Sequence, residues 1–296
     1  IYYPNVDLGT PARTWLNAST PRLWLRDEIT SKATVAHQTQ FDVTGDIDIR
    51  IDMQLGPMDA GATGVIVAGV YDFAGNQRAW RLSVQAGGFP RLEWSTDGTL
   101  AGFQIGTSTV PVVPTNARAV LRATLDVNNG AGGWTLRFYL GDSITGPFAQ
   151  VGPDIIGTPA TSIFAANAPL EVGAEMNQAA TAVPRANVYQ FQLRNGINGT
   201  LVADGNFTAQ TSGVPAFVDP TGLQWLIQGS ARLDNQWYRI VGTIDAWKPV
   251  WPWGDLSAAV PGGIGDGEAR VDIDIAGILR RLGQGAAPLQ SPLRRA

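Results

Sequence analysis

An all-β chain, folded as an antiparallel sandwich or jelly roll, is what this sequence predicts, and three observations carry the expectation. The stretch 118–140, RAVLRATLDVNNGAGGWTLRFYL, places Leu121, Ala123, Leu125 and Val127 on one face of a first segment. It places Trp134, Leu136, Phe138 and Leu140 on one face of a second. That two-residue period, apolar in and polar out, belongs to half-buried strands. Turn signals then recur roughly every ten residues, as in sandwiches and barrels. Almost no segment before residue 270 has helical spacing.

The elements follow in order. Residues 1–40 form an irregular lead-in punctuated by Pro4, Pro11 and Pro21. Its apolar pieces, Thr14-Trp15-Leu16 and Leu23-Trp24-Leu25, read as edge strands laid over the main sheets. The alternative, a linker or arm, would place their tryptophans poorly. In 41–55, Ile47, Ile49, Ile51 and Met53 alternate with Asp46, Asp48, Arg50 and Asp52, the clearest single strand of the chain. Strands follow at 64–73 and at 77–85, the latter with Trp80, Leu82 and Val84 on one face. Gly87-Gly88 turns the chain into 91–95, with Leu92 and Trp94 inside. Asp97-Gly98 is a hairpin signal before a strand at 99–106. The central hairpin comes next, turned by Asn128-Asn129-Gly130, residues that tolerate positive φ. Later strands are expected at 169–174, 186–194, 198–203, 214–218 and 222–229.

Near residue 230 the texture changes. A proline-tryptophan cluster, WKPVWPWGD, occupies 247–255, and a Gly/Pro-rich loop runs over 256–267. Residues 268–275 alternate as a strand, and 276–283 read as a short helix capped by Gly283. The last residues carry Arg280, Arg281, Arg294 and Arg295 with no acid among them. Two units are therefore expected: a sandwich over 1–230, and a small β-rich segment over 231–296 with one short helix and a basic end.

Composition bounds the function. The 35 glycines and 19 prolines are about 18% of the chain against a typical ~12%, rich in turns but short of low complexity. With no cysteine there is no disulfide framework, which fits assembly in a reducing cytoplasm. A net charge of −4 points away from nucleic acid. No run approaches the ~18 apolar residues of a membrane helix. The chain begins at Ile1 rather than Met, so it reads as a fragment in which secretion stays open.

The body from 5 to 229 resembles the concanavalin A-like lectin/glucanase jelly-roll domain found in minor tail proteins of tailed phages, especially those of GC-rich bacterial hosts. The likeness is carried by GDIDIRIDM at 45–53, AGNQRAWRLSV at 74–84, LEWSTDGT at 92–99, RATLDVNNGAGGWTLRFY at 122–139 and VYQFQLRNGINGTLVADGNFTAQ at 188–210. Within the last of these, RNGINGT at 194–200 matches the family's closing strand. Residues 231–296 are similar to the hub-type β-barrel region of phage tail-tip proteins, with Arg239, Gly242, Ile244 and Trp247 at the pattern's positions and LRRLGQG following. Only part of such a barrel is present. The resemblance implies a structural tail-tip component of the virion, assembled in the host cytoplasm. It implies other tail proteins as partners, a homo-oligomer (a trimer), and recognition of a host-surface saccharide. A free carbohydrate-binding module or sandwich-type glycoside hydrolase is the alternative.

Chemistry is sparse. Sandwich glucanases carry paired carboxylates alternating on one strand. Here the pattern is Asp46-x-Asp48-x-Arg50-x-Asp52, with an arginine between and no glutamate. It reads as a solvated strand face whose charges discourage edge pairing. Glu171 falls on a sheet face and Glu175 in a loop, with no second partner fixed. His37 is the only histidine, no G-x-S-x-G occurs, and no residues have zinc spacing. No enzyme and no cofactor are expected. Asp126-Val127-Asn128-Asn129-Gly130 could supply oxygens to calcium, but hairpin chemistry explains the same residues. The sequons at Asn17, Asn198 and Asn206 read as chance occurrences. Trp80, Trp94 and Trp134 belong to the core by alternation. Trp247, Trp251 and Trp253, interleaved with prolines, are read with Arg280 and Arg281 as an interface to a neighbouring subunit or domain.

Overall fold

The computed structural model describes residues 20–26, 28–56, 64–114, 117–177 and 185–235. The chain divides into Ile1–Trp237 and Tyr238–Ala296, and all described residues lie in the first unit. In chain order the strands are β1 (Arg22–Leu25), β2 (Lys32–Val35), β3 (Ile47–Leu55), β4 (Gly64–Asp72), β5 (Gln77–Gln85), β6 (Phe89–Gly98), β7 (Phe103–Thr107) and β8 (Arg118–Asp126). They continue with β9 (Trp134–Gly141), β10 (Phe148–Gly157), β11 (Leu170–Val172), β12 (Ala186–Asn195), β13 (Thr200–Asn206), β14 (Ala216–Val218), β15 (Gln224–Gln228) and β16 (Arg232–Asp234).

The described residues form an antiparallel sandwich of two eight-stranded sheets. Sheet A has the order β10-β9-β8-β3-β12-β1-β16, and β13 shares with β1 the edge of β12 that β3 does not use. Sheet B has the order β14-β15-β2-β11-β4-β5-β6-β7. The central hairpin β8–β9 pairs Leu121 with Leu140, Ala123 with Phe138 and Leu125 with Leu136, so the apolar set faces one way. Ile47, Ile49, Ile51 and Met53 on β3 continue that inner face, all of them fully buried. Against it sheet B sets Trp80, Leu82, Leu92 and Trp94. Trp94 of sheet B meets Trp134 of sheet A edge-to-face at 4.9 Å, and Phe191 meets Trp225 across the sheets at 6.1 Å. Aromatic pairs of this geometry add about 0.5–1.5 kcal/mol beyond their burial.

Several elements differ from the sequence expectation. The described part of the lead-in is no overlay, since β1 lies between β12 and β16 and β2 lies between β15 and β11; Thr14-Trp15-Leu16 lies outside the described residues. β1 takes up the expected Leu23-Trp24-Leu25 strand but within the sheet, whereas the four-residue length of β2 hides it, because alternation needs a longer run to be read. β10 was not expected. Gly152 and Pro153 interrupt it, its register shifts between Val151 and Ile155, and it lies at the sheet edge where proline is tolerated. The β6–β7 turn falls at 99–102 rather than at Asp97-Gly98. Asp97 instead accepts from the Thr99 backbone N–H at 2.8 Å and the Thr99 hydroxyl at 2.9 Å. The central turn spans 127–133, with positive φ at Gly130 and Gly132 rather than at the asparagines. The sandwich also runs past 230, because β16 pairs with β1. The strand at 268–275, the helix at 276–283 and the tryptophan cluster lie outside the described residues.

Candidate functional site

The charged residues of β3 do not face water. Asp48 is 0% exposed, Arg50 5% and Asp52 6%, which corrects the expectation of a solvated face. The cause is register. Asp204, Gln192, Arg50, Arg122, Tyr139 and Gln150 form one row across the outer face of sheet A, from β13 to β10. Arg194, Asp48, Thr124 and Arg137 form the row beside it. Long side chains standing on adjacent strands cover one another.

Arg50 and Arg122 stand directly opposite each other, a pairing that repels. Asp48 holds them together. Arg50 donates to its carboxylate from Nε at 3.1 Å and Nη2 at 2.8 Å, and Arg122 does so at 3.0 and 2.8 Å. Asn198 completes the lattice from the 196–199 turn between β12 and β13. Its Oδ1 accepts from both guanidinium groups at 2.9 Å, and its backbone N–H donates to Asp48 at 3.0 Å. Its φ of 54° is one that asparagine tolerates better than most residues. Burial pushes the Asp48 carboxyl up, but the hydrogen bonds from Arg50 and Arg122 outweigh it and hold the group below its ordinary 3.8.

Aromatic rings border this lattice. Arg118 grips Asp52 at 2.7 and 2.6 Å and lies 3.8 Å over the ring of Tyr189. Arg122 sits 5.0 Å from the Tyr139 ring and 5.2 Å from that of Phe148. All three rings are half-buried. The 142–147 loop approaches from one side, where the Ile144 carbonyl accepts from Arg50 at 3.3 Å. Beside Phe148 and Arg118 opens a groove of about 900 Å³. The 111–114 strap forms one wall, and the ends of β8, β9 and β10 form the other. The strap is held by Val112 and Val113, whose N–H groups donate to the Gly88 carbonyl at 2.9 and 3.1 Å. Gly88 is required there, since a Cβ would lie 2.4 Å from the Val113 oxygen.

The outer face of sheet B carries a second charged row: Thr34, Glu171, Gly69, Arg81, Glu93 and Ile105. Lys32 donates to Glu171 at 2.6 Å, and Arg81 bonds Glu93. After β11 the chain doubles back to β4, where the Met176 N–H reaches the Tyr71 carbonyl at 3.0 Å. This return brings Glu175 onto Arg81 at 2.7 and 2.9 Å. Burial pushes the carboxyls of both Glu171 and Glu175 up, and one oxygen of Glu171 has no hydrogen-bond partner. Nothing in the sequence signalled that Glu171 and Glu175 would meet cations from β2 and β5.

Asp46 accepts from the Val127 N–H at 2.9 Å, and His37 contacts Asp42 at 3.0 Å. In the 127–133 turn, Asp126 and Asn129 accept from backbone N–H groups of their own loop. Among the described residues no group of three or more His, Cys, Asp or Glu has the placement of a metal site. Trp80, Trp94 and Trp134 are buried. Asn206 accepts from the Ala209 N–H, so both described sequon asparagines are engaged. Trp247, Trp251, Trp253, Arg280 and Arg281 lie outside the described residues. The residues that sequence reasoning missed are Arg118, Arg122, Arg194, Asn198, Tyr139 and Tyr189. Their polar-face positions were visible, but their register was not.

No protein-family model and no curated protein matches the chain. Among solved structures it is similar to a heptameric SAP-like pentraxin from Limulus polyphemus, with 11% identity over 61% of this chain and 72% of that one, and a TM-score of 0.34. It is similar to domains LG4-5 of the mouse laminin α1 chain, with 11% identity over 62% and 43% and a TM-score of 0.40. It is also similar to the CBM40 of a Ruminococcus gnavus IT-sialidase bound to α2,3-sialyllactose, with 13% identity over 61% and 94% and a TM-score of 0.39.

Proposed function

We propose that this chain is a structural component of a phage tail tip, a minor tail protein, whose sandwich recognises a host-surface saccharide without chemical turnover. The observation that carries the recognition reading is the outer face of sheet A. A hydrogen-bonded lattice of arginine, aspartate and amide groups is bordered there by three half-buried aromatic rings and an open groove. Planar polar groups suit vicinal hydroxyls, and aromatic faces suit the apolar face of a sugar ring. The non-enzymatic reading is supported by the engagement of the acids on this face: Asp48, Asp52 and Asp154 are each gripped by arginine, and Asp204 by Gln190 and Gln192. The tail-tip reading rests on the motif resemblance at 45–53, 74–84, 92–99, 122–139 and 188–210, and on the hub-like pattern after 231. On that reading the partners are other tail proteins, reached through Trp247, Trp251, Trp253, Arg280 and Arg281. A homo-oligomer, a trimer, would add avidity to sites that are weak singly. The alternative, a sandwich hydrolase, would use Glu171 and Glu175, whose carboxyls burial pushes up.

Incubating the full chain with cell-wall polysaccharide from GC-rich bacteria tests both readings. The chain should co-sediment with the polysaccharide and release no soluble sugar. Sugar release that disappears in E175Q would establish the hydrolase instead, and no co-sedimentation would overturn recognition.

A further inference from the structure

We infer that the saccharide recognised by sheet A carries a negative charge, held at Arg194 beside Asn198 and Arg122. The inference rests on the proposed recognition role and adds the ligand class. It comes from the charge balance of the outer face. Two of its arginines have private carboxylates: Arg118 has Asp52, and Arg137 has Asp154. Arg50 and Arg122 share the single carboxylate of Asp48. Among the described residues, no carboxylate forms an ion pair with Arg194, and those of Asp48 and Asp204 act on it only from a distance. It donates to the neutral Gln192 at 3.2 Å and to the Gly199 carbonyl at 3.1 Å, and its buried Nε has no partner. The remaining acid nearby, Asp204, is occupied by Gln190 at 2.9 Å and Gln192 at 3.4 Å.

Three guanidinium groups around Asn198 therefore face the carboxylate of Asp48 and, across Gln192, that of Asp204, and one positive charge is left over. A partly desolvated cation without a counter-charge is costly, and an arriving anion removes that cost. Burial and the positive charge of Arg50 push the Arg194 guanidinium down, against the upward pull of Asp48 and Asp204. The place is reachable: Arg194 is half-buried and Asn198 is exposed. Guanidinium groups also bind carboxylates and phosphates through paired hydrogen bonds, which gives orientation as well as attraction. Carboxylate and phosphate share this chemistry, so the probes must separate them.

The full chain is titrated with tetragalacturonate, with poly(glycerol phosphate) and with neutral maltotetraose, each at low and moderate salt. At least one anionic probe should bind about tenfold more tightly than maltotetraose, roughly the 1.4 kcal/mol of one added charge-assisted contact. Its affinity should fall as salt rises, and R194Q should lower it to the neutral level. Asn198→Asp is the second variant. It places a carboxylate between Arg50 and Arg122, so it should raise thermal stability while weakening the anionic probe. Equal binding of all three probes, or unchanged anionic binding in R194Q, overturns the charge preference and leaves recognition standing. Failure of all three probes, together with failure on whole cell-wall polysaccharide, overturns both.

Discussion

Asp48 is the residue on which the outer face of sheet A depends. It is fully buried, accepts four hydrogen bonds from two arginines and one from the Asn198 backbone, and separates like charges that the register forces together. Asp48→Asn removes the only carboxylate that Arg50 and Arg122 share. The cost expected from chemical denaturation is about 3–5 kcal/mol, the range for breaking a buried ion pair from one side. Arg137→Ala provides the contrast. Its pair with Asp154 is about one-third exposed on both sides, and its loss should stay within about 1 kcal/mol. In the sequence this hub looked like an ordinary polar position. Alternation marks which side of the strand Asp48 occupies, but not that Arg122, 74 residues away, stands beside it.

At the scale of elements, β11 and the return after it couple sheet B to pH. Burial raises the carboxyls of Glu171 and Glu175 above their ordinary 4.5, so the folded chain keeps protons that the unfolded chain has lost. Their contribution to stability therefore falls as pH rises from 4.5 through their folded values, by at most about 1.4 kcal/mol per pH unit for each group. Asp48 acts in the opposite sense. Its stabilisation is present above 3.8 and is lost as pH falls through its lower folded value. Unfolding free energies measured by urea from pH 3 to 8 should pass through a maximum on the acid side of neutrality, and E171Q should flatten the limb above it. The elements themselves were legible where alternation ran long, as in β3, β5, β8 and β9. They were illegible where length or composition broke the pattern: β2 has four residues, and β10 carries Gly152-Pro153. The return that places Glu175 on Arg81 depends on Gly173, at φ 94°, and on tertiary contact with β4, neither of which sequence spacing reports.

Across the whole molecule, residues far apart in the chain close both sheets. Trp24 on β1 pairs with Asn187 and Arg232, and Ala33 on β2 pairs with Val172 and Ile227. The two-sheet architecture could be read from the sequence because every long strand points its apolar side to one core. The outer face of sheet A could not be read in the same way, because it is made by register between β3, β8, β12 and β13. The account stands on that surface being where the saccharide lands. Hydrogen exchange of the full chain, with and without bound cell-wall polysaccharide fragments, tests it most directly. The account predicts slowed exchange in the 142–147 loop and the 196–199 turn, which flank the arginine lattice. Slowing confined to 173–177 on sheet B, with those two segments unchanged, would contradict it.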